Sequence, residues 1–316
     1  MHVVAAALID ADGRLLLAQR PPGKHLAGAW EFPGGKLEAG ETPLAALARE
    51  LDEELGVAVE QATPLIRIPW RYNHHELRLD AWRVTRWRGA PRALEGQALR
   101  WQWPSDVDPA QLAPADRPLL QALRLPVSYP ITPPDVPLAQ RDQWRQRLAA
   151  AIVHGERLLQ LRLPLWPRAA VRDLAVDLLP LAERHGARLL LNEDIDGARA
   201  LGIGVHLKAA QLAALTRRPL PWRQLIAASC HDAEALSQAV ALGVDFATLS
   251  PVASTASHPG VAPLGWPAFH ALAEAAALPV YALGGMAPSM AEAARAAGAQ
   301  GVAGIGGFWP DAAHRQ

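Results

Sequence analysis

Residues 34–57 read "GGKLEAGETPLAALARELDEELGV", with six Glu and Asp residues in what is otherwise an Ala/Leu-rich helix. Thr42 followed by Pro43 predicts the helix start: a hydroxyl N-cap, then proline at the first helical position. From that start Glu50, Glu53 and Glu54 fall at i, i+3 and i+4 and share one face. Leu44, Leu47, Leu51 and Leu55 repeat on the side expected to be buried. Like charges at these spacings cost an isolated helix a few tenths of a kcal/mol per pair. A hard divalent cation offsets that cost: Mg²⁺ or Mn²⁺ takes a few carboxylates and completes its shell with water and phosphate. The preceding "FPGGK" (32–36) places two glycines where bare backbone can approach a metal or phosphate closely.

The rest of the chain bounds what such a site can serve. Its 316 residues suggest two domains, and with half of them hydrophobic each can bury a core. A formal net charge of zero and the lack of any basic run argue against a nucleic-acid polymer as partner. A single nucleotide held through metal stays compatible. One cysteine, Cys230, rules out an intramolecular disulfide and a thiolate cluster. "MHVVAAALIDADGRLLLAQR" turns polar too early for a signal peptide, and no apolar run reaches the ~20 residues of a membrane span. The expectation is a cytoplasmic protein without a membrane partner. Oligomeric state is left open.

Along residues 1–124, "VVAAALI", "DADG" and "RLLLAQR" predict two strands around an Asp-Gly turn. The helix of the opening stretch follows, then Trp-rich strands and a short helix, "PADRPLLQALR". Residues 125–137, "LPVSYPITPPDVP", are dense in proline and suit a linker and the start of a second domain. From 128 to 316 the pattern becomes regular. "SYPIT", "RLLQLRL", "ARLLLNE", "IGVHL", "LIAASC", "DFATLS", "PVYALGG" and "GVAGIG" alternate with helical segments, which predicts an α/β protein whose second domain is a (β/α)8 TIM barrel.

An exposed charged helix would account for "REXXEE" alone, but not for the whole spacing. Gly35, five residues, Glu41, seven residues, Arg49-Glu50-Leu51, one residue, Glu53-Glu54, one residue and Gly56-Val57 match the Nudix box throughout. Residues 1–124 resemble Nudix hydrolases of the MutT branch, the 8-oxo-dGTP diphosphatases. That resemblance implies an α/β/α sandwich with a mixed sheet and a metal held by Glu50, Glu53, Glu54, Glu95 and the backbone of Gly34 or Gly35. Arg49 would orient the carboxylates and Glu41 would support the loop. Metal-assisted attack of water would release a nucleoside monophosphate and pyrophosphate, with Glu53 or Glu95 taking the proton. Lys36 is placed to meet phosphate. Arg20 matches an arginine near the base, and Trp70 and Trp82 are candidates to stack on it, although most of the tryptophans are expected in the core. Asp116 stands where MutT carries asparagine. An ionised aspartate only accepts hydrogen bonds, so it would suit N7–H of 8-oxoguanine and face O6 unfavourably unless protonated. The expectation is broader base discrimination.

Residues 128–309 resemble thiamin phosphate synthase and its TenI-type relatives through "YPIT", "LQLRL", "LLLNEDID", "GVHL", "ASCH", "LSPVASTASHPG" and "ALGGM". The resemblance implies a ligand site drawn from Arg162, Asn192, Ser229, His231, Thr255, Ser257, His258, Gly284, Gly285 and Gly304, with a thiamin-related phosphate as partner. Several family positions differ. Pro164 and Leu165 occupy the place of a lysine, Asn192-Glu193 replaces Asn-Asp, and Gln211 replaces a metal-linked aspartate. His258 replaces a second lysine. A synthase must bind Mg²⁺-pyrophosphate, and these changes remove one anionic ligand and two cations. Three alternatives follow: TenI-like tautomerisation through His231, whose side chain titrates near neutrality; a non-catalytic binding module; or a first domain acting on a thiamin-pathway diphosphate.

Overall fold

The computed structural model describes residues 1–72, 75–255, 260 and 262–309. The chain divides into two compact units, Met1–Arg124 and Leu125–Gln316.

The first unit runs β1 (His2–Leu8), β2 (Leu15–Gln19), β3 (Trp30–Glu31), α1 (Pro43–Leu55), β4 (Ala58–Tyr72), β5 (His75–Arg88), β6 (Leu99–Gln102) and α2 (Arg117–Arg124). One sheet has the order β1-β5-β4, with β1 parallel and β4 antiparallel to β5. The other, β3-β2-β6, is antiparallel. Side chains alternate along β1, and the alternation builds two cores. Val4, Ala6 and Leu8 pack with Leu47, Leu51 and Leu55 of α1, while Ala5 and Ala7 pack with Leu119 and Leu120 of α2. Helix, sheet and helix are therefore layered as the resemblance implies. Leu44 departs from the expected buried face: in the open first turn of α1 it stays 44% exposed, and Ala46 joins the core instead.

The second unit contains β7 (Ser128–Pro130), α3 (Arg141–Val153), β8 (Leu158–Leu161), α4 (Arg168–His185), β9 (Arg188–Asn192), α5 (Ile195–Leu201), β10 (Gly204–Leu207) and α6 (Ala209–Ala214). It continues through β11 (Ile226–Cys230), α7 (Ala233–Leu242), β12 (Phe246–Leu249), α8 (Gly265–Ala275), β13 (Val280–Ala282), α9 (Ala291–Ala296) and β14 (Gly301–Gly304). All eight strands are parallel, in the order β7-β14-β13-β12-β11-β10-β9-β8. A bridge between Ile131 and Gln160 brings β7 to β8 and closes the ring. Each of the eight strand segments read from the sequence contains one of these strands. Tyr129, Leu158, Leu190, Phe246 and Tyr281 fill the interior; Leu159, Leu161, Leu191, Val205 and Leu207 face the helices. The proline-rich stretch 125–137 belongs to this unit, with Leu125, Tyr129, Ile131 and Val136 buried. Among the described residues no helix is long and apolar enough to cross a membrane.

Candidate active site

Helix α1 is capped as its sequence requires. The Thr42 hydroxyl accepts from Ala45 N–H at 3.2 Å, and Gly56 closes the helix in the left-handed conformation. This fixes the rotation of its acidic face. Arg49 lies at the centre of that face: its guanidinium donates twice to Glu41 (2.8 and 3.0 Å), once each to Glu50 and Glu53 (3.1 Å each), and to the Lys36 carbonyl (3.0 Å). One cation thus relieves much of the repulsion that the spacing creates. Hydrogen bonds from Arg49, then from the Glu38 N–H, hold the Glu41 carboxyl at a pKa of about 2.

The glycine loop completes the arrangement. Pro33 and Gly35 carbonyls accept from Ala6 and Val4 N–H, and Gly34 N–H donates to Glu54 at 3.3 Å. Gly34 must be glycine, with φ of 148° and the Val4 carbonyl 2.2 Å from where a Cβ would stand, whereas a Cβ at Gly35 would stand 2.1 Å from the Glu50 carboxylate and force that side chain to move. Glu54 is pushed up to a pKa of about 7, first by burial and then by the charges of Glu95, Glu50 and Glu31.

Glu50, Glu54, Glu95, Gly34, Gly35 and Lys36 line a cleft of about 1070 Å³. Glu95 meets Lys24 at 3.6 Å. Glu53 does not line the cleft; its carboxylate is exposed and held by Arg49. Among the described residues no three acidic or imidazole side chains converge as they stand on a metal-sized point. The hard-oxygen pair Glu50 and Glu54, with Gly34 between carbonyls already engaged, nevertheless fits a cation that takes its other ligands from water and phosphate. Burial, then the charge of Glu95, disfavours ionised Glu54, and a cation bound beside it would have the opposite effect.

The other part of the cleft is built from strands far apart in sequence. Arg20 is ion-paired with Glu31 and donates to the His25 carbonyl at 2.6 Å. Tyr72 accepts from Ala115 N–H at 3.2 Å and meets the His25 ring edge-on at 5.3 Å. Asp116 is buried beside them, and burial, then the Glu31 charge, raise its pKa well above the carboxylate range. Trp70 and Trp82 do not line the cleft: Trp82 packs on the α1 side, and Trp70 stands 6.1 Å from the Tyr72 ring. The aromatic residues in the lining are Phe32 and Tyr72. Glu31 and Tyr72 were not legible from the sequence; the alternation of "WEF" was the one available signal, setting Glu31 apart from Phe32.

In the barrel, Arg162, Glu193 and Lys208 follow β8, β9 and β10 at their C-terminal ends, where sites of this fold lie. Asn192 donates to Glu193 at 2.8 Å, and Lys208 forms an ion pair with the same carboxylate. Inside, Gln160 donates to Tyr129 Oη (3.2 Å), which meets His206 Nδ1 at 3.1 Å, while His206 Nε2 meets Ser229 Oγ at 2.9 Å. Burial, then the Arg162 charge, lowers the His206 pKa to about 3, so its ring is neutral. His231 Nδ1 lies 2.8 Å from the Ser250 carbonyl. Cys230 is buried, and burial pushes its thiol up to about 12. Gly284 and Gly285 adopt positive φ where a Cβ would meet Pro251 and Ser254, and at Gly304 a Cβ would meet Phe308. Thr255 is described; Ser257 and His258 lie outside the described residues.

Comparison with known proteins agrees with this division. Residues 4–122 match the family model for the NUDIX domain, and residues 128–308 that for thiamine monophosphate synthase. The chain is 44% identical over 122 residues to CTP pyrophosphohydrolase of Escherichia coli strain K12, spanning 39% of this chain and 90% of that protein. It is 42% identical over 88 residues to 8-oxo-dGTP diphosphatase of Proteus vulgaris, spanning 28% and 79%. It is also 40% identical over 156 residues to the "Putative thiamine-phosphate synthase" of Geobacter sulfurreducens, spanning 48% and 73%.

Proposed function

From a chain that belongs to the Nudix family in its first unit and to the thiamine monophosphate synthase family in its second, we propose a specific reaction for the first unit, a hydrolase acting on phosphoric anhydrides. It cleaves a nucleoside triphosphate to the monophosphate and pyrophosphate. The observation that carries this reading is the Arg49-centred set of carboxylates against the Gly34–Gly35 loop, opening into a cleft with a second polar cluster around Asp116.

Glu50, Glu54 and the Gly34 carbonyl would hold Mg²⁺ or Mn²⁺, with Glu95 in the same lining and Glu53 outside it. When bound, such an ion neutralises developing charge on phosphate and makes water a better nucleophile. Arg49 ties Glu41, Glu50 and Glu53 to the loop through the Lys36 carbonyl and so limits how far these carboxylates can move. Lys36 offers an ammonium to the phosphates. Glu95, which lines the cleft, is the carboxylate placed to accept the proton of the attacking water; Glu53, outside the lining, would first have to turn away from Arg49.

The base is read by Asp116, Arg20 and Tyr72. In neutral form Asp116 both donates and accepts, which removes the conflict expected of an ionised carboxylate. Its hydroxyl suits O6 and its carbonyl N7–H of 8-oxoguanine. The same pair suits N3 and the amino group of cytosine. We therefore assign 8-oxo-dGTP as the leading substrate. A cytidine triphosphate is the second reading, favoured by the 44% identity to a CTP pyrophosphohydrolase. Pyrophosphate release from 8-oxo-dGTP, dGTP, CTP and dCTP, with thiamine diphosphate beside them, tests this for wild type and Glu53→Gln. A preference for the thiamine compound would refute the assignment, and full activity of Glu53→Gln would remove Glu53 from the site.

A further inference from the structure

The barrel resemblance implies a divalent cation at the C-terminal mouth, and the residues there do not fit one. Glu193 is the carboxylate that follows β9. Its charge already faces the Lys208 ammonium, and one of its oxygens accepts from Asn192 at 2.8 Å. Gln211, where an anionic ligand was expected, is an amide with both ends engaged: Nε2 donates to the Glu193 carbonyl at 2.9 Å and Oε1 accepts from Lys208 N–H at 3.2 Å. Glu193 is held with φ of 65°, a left-handed conformation that a side chain-bearing residue adopts at a cost, and its N–H donates to the His206 carbonyl at 2.9 Å. The Lys208 and Asn192 contacts both fall on Glu193 Oε1, so carboxylate, ammonium and amide form a charge-balanced unit in which a metal would meet one oxygen, Oε2, of a carboxylate whose charge Lys208 already offsets.

Beside that unit the balance is positive. Arg162 follows the adjacent strand β8, is half-buried, and has no carboxylate partner among the described residues. Within the barrel, Thr248 is fully buried and its Oγ1 has no hydrogen-bond partner. Phe246, two residues earlier on β12, belongs to the interior core, so alternation points Thr248 inward as well. A guanidinium without a counter-ion calls for an anion. A buried hydroxyl without a partner calls for a polar group reaching past the mouth.

We propose that the barrel binds an organic phosphomonoester without a divalent cation, Arg162 meeting the phosphate and Lys208 supplying the positive charge that balances Glu193. Lys208 thus occupies the electrostatic role of a metal, and the site binds its ligand without diphosphate-displacing chemistry. This inference is independent of the nucleotide reading of the first unit.

Calorimetric titration of the full chain with thiamine monophosphate and with inorganic phosphate, each in EDTA and in Mg²⁺, tests it. Affinity for the monoester should agree within about twofold between the two conditions, and inorganic phosphate should bind more weakly. Arg162→Ala should weaken monoester binding about tenfold in both. Lys208→Met leaves Glu193 unbalanced, so its binding should become about tenfold tighter in Mg²⁺ than in EDTA, while Lys208→Arg should behave as wild type. Absence of monoester binding in EDTA, an unchanged Arg162→Ala, equal binding of the two probes, or metal-independent binding by a folded Lys208→Met would overturn the proposal.

Discussion

Glu54→Gln offers the most informative perturbation of the metal-free protein. The Glu54 carboxyl has a pKa of about 7 instead of 4.5, because it is buried and faces Glu95, Glu50 and Glu31. Its folded pKa is thus raised, and between those values the folded state binds the proton more tightly than the unfolded chain does. Stability therefore falls as pH rises from about 4.5 to about 7 and then levels off. Ionising Glu54 in the folded protein costs about 3 kcal/mol at the upper end of that window. Glutamine stays neutral, and its carbonyl can still accept from Gly34 N–H. In EDTA the variant should be up to about 3 kcal/mol more stable than wild type near about pH 8.5, and equal to it near about pH 4. Denaturant unfolding followed by hydrogen exchange of α1 peptides reads the first unit separately. Adding Mg²⁺ should raise wild-type stability through binding to the folded state and narrow the gap. A destabilised variant at high pH, or a difference that ignores pH, would refute the electrostatic reasoning.

Three further outcomes follow from the same geometry. Gly35→Ala puts a methyl 2.1 Å from the Glu50 carboxylate, so Glu50 must move; turnover should fall about tenfold or more while the folded fraction, read by circular dichroism, changes little. If buried Asp116 meets the base as a neutral acid, as proposed, kcat/KM should decline as pH rises through its elevated pKa; Asp116→Asn should flatten that limb, and Asp116→Ala should lower kcat/KM by about tenfold or more. Leu51→Ala empties a fully buried position under α1 and should cost about 3 kcal/mol in denaturant unfolding of the first unit.

Much of this architecture is legible in the sequence because local chemistry and tertiary packing agree. The Thr42-Pro43 start, the leucine spacing and Gly56 specify α1, and its acidic face then follows from helical geometry alone. The barrel strands are short apolar runs between helical patterns, so their positions could be read without knowledge of pairing. What escaped is what depends on distant strands meeting. Tyr72 ends β4 and Glu31 belongs to a two-residue strand, and nothing in their local sequence brings them to Asp116, which the resemblance alone places near the base. The tryptophans fit the core role expected of most of them: Trp82 has the chemistry to stack on a base, but its place on β5 turns it to the α1 side. Lys208 was invisible for another reason. Its importance comes from Glu193, whose unusual backbone directs the carboxylate to the neighbouring strand end.

The most direct measurement is phosphorus NMR of 8-oxo-dGTP incubated with the full chain in Mg²⁺, for wild type beside Glu50→Gln. Nucleoside monophosphate and pyrophosphate from wild type, with turnover lost in Glu50→Gln, is the predicted result. Diphosphate plus inorganic phosphate, or undiminished turnover in the variant, would contradict it.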